Sequence, residues 1–280
     1  MSEDKINVEY QPYLIIFLDI LGQKELLRQM AEYPTNENER ERFKTLSSET
    51  LEKVIYAKNL FANFVDAHMK KPISPLQTAL GYQRAEIIFY GISDSLIIAV
   101  PLGTEQNPTA IYGVFATLMA TCGLGLAMLS KKIAIRGGLD VSMATRIETN
   151  EIYGWAVASA HHIENKLAEY PRFVIGNGLR SYLKTVENHK PSFPIGENNI
   201  SLAKTCQEMI IQDNDGHYML DFLGETLKKY LKTYYHDFSM KAYTFVKGEH
   251  ERFVKENNHK LALRYYRLLT YFESRRSLWE

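Results

Sequence analysis

The sequence has little cysteine, no Cys/His cluster and no excess of either charge. Its two cysteines, Cys122 and Cys206, stand apart from any CxxC motif. This argues against a zinc site or a disulfide framework and predicts two small core residues in a reducing cytosol. Lys plus Arg total 33, as do Asp plus Glu, so the formal net charge is zero. Nucleic-acid binding depends on basic residues that neutralise phosphates, so we expect no nucleic-acid partner.

A membrane location has little support in the sequence. The first residues, MSEDKINVEYQPY, are polar and acidic and lack the basic and apolar regions of a signal peptide. Residues 110–130 are uncharged and almost long enough to span a bilayer. They include three glycines and lie between two predicted strands of one sheet. We therefore expect a helix buried against that sheet, in a cytoplasmic protein.

Three apolar runs predict the strands of one sheet. Residues 13–18, YLIIFL, indicate a buried strand that ends at Asp19. Residues 84–100 predict a hairpin with Asp94 near its turn, and residues 132–141 predict a strand that contains Arg136. With the intervening helices, the order is β-α-β-β-α-β. That order is typical of an α+β, ferredoxin-like (split βαβ) core, with helices on one face of a mostly antiparallel sheet.

Helical additions are predicted around this core. The apolar spacing between residues 35 and 70 indicates a long amphipathic helix or helix pair that Pro72 and Pro75 end. We predict a catalytic domain over residues 1–222, with that helical insertion, and a C-terminal helical extension over residues 223–280. Further elements are predicted as a helix at 155–169, a short strand at 173–175 and a hairpin at 208–222 with its turn at 213–216.

Two carboxylates at adjacent turns of one sheet predict a metal site. In a split βαβ core the strand that ends at Asp19 neighbours the hairpin that carries Asp94. Their carboxylates could converge, and the Ile20 carbonyl could complete the set of ligands. Mg²⁺ or Mn²⁺ prefers oxygen ligands and keeps substrate phosphates as further ligands. We therefore predict two such ions per site; the alternative is that each Asp is only a turn former or a helix N-cap.

Arg136 is the predicted phosphate-binding residue. It lies on a strand of the same sheet, where a guanidinium could make bidentate contacts with a terminal phosphate. A surface or interface salt bridge is an equally good interpretation of its spacing alone.

Four segments together resemble the catalytic domain of class III nucleotidyl cyclases: FLDILGQ, ISDSLIIAV, IAIRGGLDV and EIYGWAVASAHHIENKLAEYPRFVIG. Within that family, the short F-x-D-I-L-G, S-D-S, R-G-G and Y-P-R-(F/I)-V segments are similar to the bacterial pyrimidine cyclases of the Pycsar antiphage system. The C-terminal run RYYRLLTYF resembles the terminal helix of that group. The resemblance covers about residues 12–222 and that helix.

The resemblance implies a role for each site residue. Asp19, the Ile20 carbonyl and Asp94 would be metal ligands, and Arg136 would contact the triphosphate. Phe17 would contribute to nucleotide binding. Tyr90 and Glu151 fall where purine cyclases read the base, and a phenol at position 90 would narrow the pocket towards a pyrimidine. The resemblance also implies a head-to-tail homodimer with an active site shared between chains.

Two positions depart from the family pattern. The Asn that orients the ribose falls on Ala158, and the Arg that stabilises the transition state falls on His162. Losing such groups costs orders of magnitude in rate, because they act where charge develops. The pyrimidine group also lacks this pair, so the departure fits that group. It equally fits an inactive relative.

The sequence therefore predicts a uridylate cyclase that converts UTP to 3′,5′-cyclic UMP and pyrophosphate with Mn²⁺ or Mg²⁺. By resemblance the product would activate a separate effector in antiphage defence. Three alternatives stay open: a cyclase for CTP or a purine nucleotide, a catalytically inactive nucleotide-binding module, and a polymerase-like or diguanylate-type palm domain. The palm domain is the least favoured of the three. Its Gly-Gly-Asp-Glu-Phe-like hairpin is not found in this sequence, where the turn is Gly91-Ile92-Ser93-Asp94-Ser95.

Overall fold

The computed structural model describes residues 9–69, 86–104, 107–108, 111–148, 151–188 and 194–280. An eight-stranded sheet in the order β2-β3-β1-β6-β8-β10-β9 organises the chain, and β7 pairs with β6 outside this path. The β6–β8 pair is parallel and the others are antiparallel. The strands in these ranges are β1 (Gln11–Ile20), β2 (Ile88–Ile92), β3 (Ser95–Pro101), β4 (Gly103–Thr104), β5 (Asn107–Pro108), β6 (Ile135–Glu148), β7 (Glu151–Gly154), β8 (Phe173–Ile175), β9 (Ile210–Gln212) and β10 (Tyr218–Leu220).

Helices occupy much of the remaining chain. The predicted insertion is one long helix, and the proline pair expected to end it lies outside the described residues. The stretch expected to form a helix at 155–169 is an α-helix followed by a π-helical turn. The helices are α1 (Gln23–Gln29), α2 (Glu37–Met69), α3 (Tyr112–Ser130), α4 (Trp155–His162), the π-helix (Ile163–Leu167), α5 (Asn177–Asn188), α6 (Pro194–Glu208), α7 (Glu225–Leu231), α8 (Thr233–Lys255), α9 (His259–Ser274) and α10 (Arg276–Trp279).

The element order matches the predicted β-α-β-β-α-β core, with β1 between β3 and β6. Because side chains alternate along a strand, Leu14, Ile16 and Leu18 of β1 lie in the large core with α2 and α3. Ile15 and Phe17 point to the opposite face, where they pack with residues of α4. The expectation that helices cover only one face was therefore wrong. A short helix on the second face can bury the alternate apolar residues of the central strands.

Helix α3 is the uncharged stretch that had to be distinguished from a membrane span. It is long and apolar enough to cross a membrane by length and composition, but 89% of its most apolar window is buried inside the protein. A Cβ at Gly123 would lie 2.8 Å from the Phe64 ring, and one at Gly125 would lie 2.3 Å from Phe173. The glycines therefore allow α2 and β8 to approach closely, which confirms the prediction of a buried helix.

The C-terminal helices pack against α3 and against each other. Helix α8 contacts α3, and α9 packs on α8. Ala242 and Val246 of α8 and Phe272 of α9 are buried in the same core cluster as the strands. Cys122 and Cys206 are both free and buried in that core, as predicted.

Gly138 of β6 allows the second-face helices to sit directly on the sheet. A Cβ at this position would lie 2.2 Å from the Ala160 carbonyl oxygen and 2.5 Å from the Glu164 backbone nitrogen. We expect Gly138→Ala to lower the free energy of unfolding by about 3 kcal/mol, the upper end for overpacking, because backbone atoms cannot move aside. Urea denaturation measures this change.

Gly248→Ala is the matched control for that substitution. Gly248 lies inside α8, and a Cβ there would meet nothing within 4 Å. Alanine favours helix over glycine by about 0.8–1 kcal/mol, so this variant should be as stable as the wild type or slightly more stable. Equal effects of the two substitutions would contradict the close approach at Gly138.

Candidate functional site

Strand register brings four of the predicted site residues together at one edge of the sheet. Asp19 lies opposite Ser95 of β3 and opposite Arg136 of β6. Asp94 occupies the turn that joins β2 to β3, and its carbonyl accepts a 3.4 Å hydrogen bond from the Ile20 N–H. Asp19, Ile20, Asp94 and Arg136 are therefore neighbours, as the sequence predicted, because the central strand ends where the hairpin turns.

The Asp19 carboxylate is half-buried between a hydroxyl and a guanidinium. The Ser95 hydroxyl donates to Asp19 Oδ1 at 3.4 Å, and Arg136 Nη2 lies 3.5 Å from Asp19 Oδ2. Burial raises the pKa of Asp19, Arg136 opposes this rise, and the neighbouring Asp94 charge adds to it. The two carboxylates therefore repel each other, and Arg136 partly offsets this repulsion.

This arrangement fits a divalent cation that keeps phosphate ligands. The described residues contain no group of three or more His, Cys, Asp or Glu side chains arranged to hold a metal ion. Asp19 and Asp94 would therefore supply two carboxylates, and the remaining ligands would have to be backbone carbonyl, water or phosphate oxygens. Mg²⁺ is commonly bound in this way, through one or two carboxylates and substrate phosphates.

Arg136 is more constrained than a free phosphate-binding residue would be. Its Nε lies 2.7 Å from Glu164 Oε1, and its Nη1 donates to the Ala168 carbonyl at 3.3 Å. The Nε and Oε1 atoms are close enough for an ion pair but are not aligned as a hydrogen bond. The attraction between these two groups therefore depends mainly on charge.

Glu164 was not singled out from the sequence. It lies on the π-helix and is only 3% exposed. Burial raises its pKa to about 7, with Arg136 acting against the rise and Asp19 acting with it. Because the pKa of Glu164 is higher in the folded protein than its ordinary value of 4.5, the fold loses stability as the pH rises from about 4.5 to 7. Buried carboxyl groups whose pKa is raised in this way are typical of functional sites.

An open cleft of about 940 Å³ lies beside the Asp94 turn. Phe17 borders it and packs against the ring of His161, with centroids 4.9 Å apart. Two exposed aromatic side chains, Tyr153 and Trp155, form another part of its lining. The cleft therefore joins a carboxylate to aromatic surface, a combination suited to a ligand with a planar ring.

The other predicted residues lie at different places around this cleft. Ala158 faces the cleft from α4, and His162 is exposed further along the same helix. Tyr90 is buried in the same apolar cluster as Phe17, with its hydroxyl unpaired among the described residues, and it is not part of the cleft lining. Burial raises the Tyr90 pKa, and Arg146 acts against this rise. Glu151 is exposed on β7. Within this chain, neither Tyr90 nor Glu151 contributes to the group around Asp19.

A second ionic network fixes the end of the π-helix. The Arg172 side chain is fully buried and pairs with Asp213 and Asp215 of the β9–β10 turn. Its Nη2 also donates to the Leu167 carbonyl at 2.7 Å, and its guanidinium lies over the Tyr170 ring. Because Leu167 ends the π-helix, this network ties the segment that carries Glu164 to the β9–β10 hairpin.

No protein-family profile and no curated protein matches the sequence. Among solved structures, the chain is similar to a bacterial light-regulated adenylyl cyclase, with 14% identity and a TM-score of 0.35. The match covers 63% of this chain and 46% of that one. The cyclase activity and the light regulation are properties of that protein.

Proposed function

We propose that this chain is a class III-like nucleotidyl cyclase that acts on a pyrimidine nucleoside triphosphate, UTP first. In this reaction the ribose 3′-oxygen attacks the α-phosphorus and loses its proton. The bond from the α-phosphorus to the oxygen that bridges to the β-phosphorus breaks, so the products are the 3′,5′-cyclic monophosphate and pyrophosphate. The observation that carries the proposal is the convergence of Asp19, Asp94 and Arg136 at one sheet edge beside the cleft.

Each residue would have a distinct role in that reaction. Asp19 and Asp94, with the Ile20 carbonyl, would hold Mn²⁺ or Mg²⁺, two ions per site. Such ions lower the pKa of an attacking hydroxyl and stabilise charge on a transferring phosphoryl group. Arg136 would contact the triphosphate, and Phe17 would border the bound nucleotide. Tyr90 and Glu151 would read the base by resemblance, in the half of the site that a second chain contributes.

A homodimer is part of the proposal because apolar side chains surround the cleft. Ile92, Met143, Tyr153 and Trp155 are large and exposed. Exposed apolar patches of this kind often mark association surfaces. A second copy that covered these side chains would also complete the site. The enzyme would act in the cytoplasm. Its product would activate a separate effector in antiphage defence.

The direct test is turnover of the four nucleoside triphosphates with Mn²⁺, with the products identified by mass spectrometry and by comparison with cyclic-nucleotide standards. We expect 3′,5′-cyclic UMP as the main product, followed by cyclic CMP. Faster conversion of ATP or GTP would overturn the pyrimidine assignment, but the proposed nucleotidyl cyclase activity would still stand. The absence of both turnover and Mn²⁺-dependent nucleotide binding would overturn the proposal entirely.

One observation favours a second candidate, an inactive nucleotide-binding module. Ala158 faces the cleft, where the family Asn that orients the ribose would stand, and an alanine cannot donate a hydrogen bond from its side chain. Binding of UTP or CTP with Mn²⁺ but without any product would identify such a module.

A further inference from the structure

The Arg136 guanidinium lies between two carboxylates. Its Nε is 2.7 Å from Glu164, whereas its Nη2 is 3.5 Å from Asp19. The pairing with Glu164 is therefore the closer of the two. This difference between the two distances matters for the proposed function. A guanidinium paired closely with Asp19 would compete with a metal cation for the Asp19 carboxylate oxygens.

Glu164 is held in position from both sides. Gly138 lets its backbone lie directly on β6, because a Cβ there would be 2.5 Å from the Glu164 nitrogen. Three residues later, the Leu167 carbonyl accepts a hydrogen bond from the buried Arg172. The backbone that carries Glu164 is thus packed on the sheet at one end and tied to the β9–β10 hairpin through Arg172 at the other.

We propose that Glu164 is a positioning residue that limits the Arg136 guanidinium to a long, 3.5 Å pairing with Asp19 and so keeps Asp19 available to a divalent cation. The inference rests on the proposed function, since it assumes that Asp19 is a metal ligand. Glu164 itself touches neither the substrate nor the metal. Its effect is transmitted by Arg136, which in the free protein would otherwise pair with the nearest remaining carboxylate.

Glu164→Gln is the informative substitution. It retains the shape of the side chain and removes its charge, and the ion pair with Arg136 depends on that charge. Asp140→Asn is the matched control. Asp140 is a buried carboxylate on the same strand that binds the Ser159 hydroxyl and the N–H groups of Val141 and Leu179. It makes no contact with Arg136 among the described residues.

The experiment measures binding of Mn²⁺ alone, from the loss of the free-ion electron paramagnetic resonance signal, so that it needs neither substrate nor turnover. We expect the dissociation constant to rise about tenfold in Glu164→Gln and to stay within about twofold in Asp140→Asn. In an Arg136→Met background the competing guanidinium is absent. There, the Glu164→Gln substitution should have no further effect, as expected for residues that act through one another.

Each outcome is decisive. A wild-type affinity in Glu164→Gln, together with lost binding in Asp19→Asn, overturns this inference and leaves the proposed function standing. A tenfold loss that persists in the Arg136→Met background shows a structural role and also overturns it. Equal Mn²⁺ binding by the wild type and Asp19→Asn removes the metal site, and with it both proposals.

Arg136→Met decides the matter if Glu164→Gln does not fold. Removal of a competitor should leave Mn²⁺ binding as tight as in the wild type or tighter. Weaker binding in Arg136→Met would mean that the guanidinium supports the metal site, and the inference would be wrong.

Discussion

Replacement of Asp19 by Asn should abolish metal-dependent nucleotide turnover while leaving the fold intact. We expect the rate of cyclic nucleotide formation to fall by about 10³-fold or more, since a metal ligand stabilises charge that develops in the transition state. Asp94→Asn should behave similarly. The fold should tolerate Asp19→Asn because burial already raises the pKa of that carboxyl, so its ionised form does not stabilise the protein.

Thermal unfolding separates this loss of function from a loss of structure. Mn²⁺ with UTP should raise the melting temperature of the wild type, because a ligand that binds only the folded state stabilises it. The same addition should leave the melting temperature of Asp19→Asn unchanged. Asp237→Asn, an exposed carboxylate paired with Lys241 on α8, is the control and should retain full activity. Undiminished turnover in Asp19→Asn would rule out the metal site.

Replacement of Arg172 by Met should produce the largest loss of stability. The guanidinium is fully buried, and its removal would leave the Asp213 and Asp215 carboxylates facing each other without a counterion. Breaking a buried ion pair in this way costs about 3–5 kcal/mol. Chemical denaturation of the metal-free protein measures the change.

The matched control is Arg267→Met. Arg267 pairs with Glu169, two residues after the π-helix, but both side chains are substantially exposed. Exposed ion pairs contribute only about 0–1 kcal/mol, so this substitution should have little effect on stability. Similar losses for both arginines would show that the buried network does not hold the π-helical segment.

The arrangement of the central strands could be predicted because burial leaves a clear pattern in them. The continuous apolar run before Asp19 reflects a strand covered on both faces, and alternation assigns its residues to two cores. Since β1 lies between β3 and β6, the register then places Asp19, Asp94 and Arg136 at one edge. The covering of the second face was not predicted, because α4 is short and its buried residues, Ala156 and Ala160, are small.

The surroundings of Arg136 could not be predicted from local sequence. Glu164 stands in a polar stretch, His161 to Lys166, which is typical of an exposed helix surface. It becomes buried because Gly138, far away in the sequence, lets the π-helix approach the sheet. The position of the Tyr90 side chain was equally inaccessible from the sequence: it is buried in the same apolar cluster as Phe17 and is not part of the cleft lining.

The all-round burial of α3 has a consequence for biosynthesis. Its apolar surface packs against β6 of the sheet and against α2, α6 and α8. On the ribosome, α2 emerges before α3, whereas α8 emerges long after it. During that interval, a helix that resembles a membrane span would expose one apolar side. We therefore expect the nascent chain to require chaperone protection until α8 has been synthesised, so that folding of this core is completed late in translation.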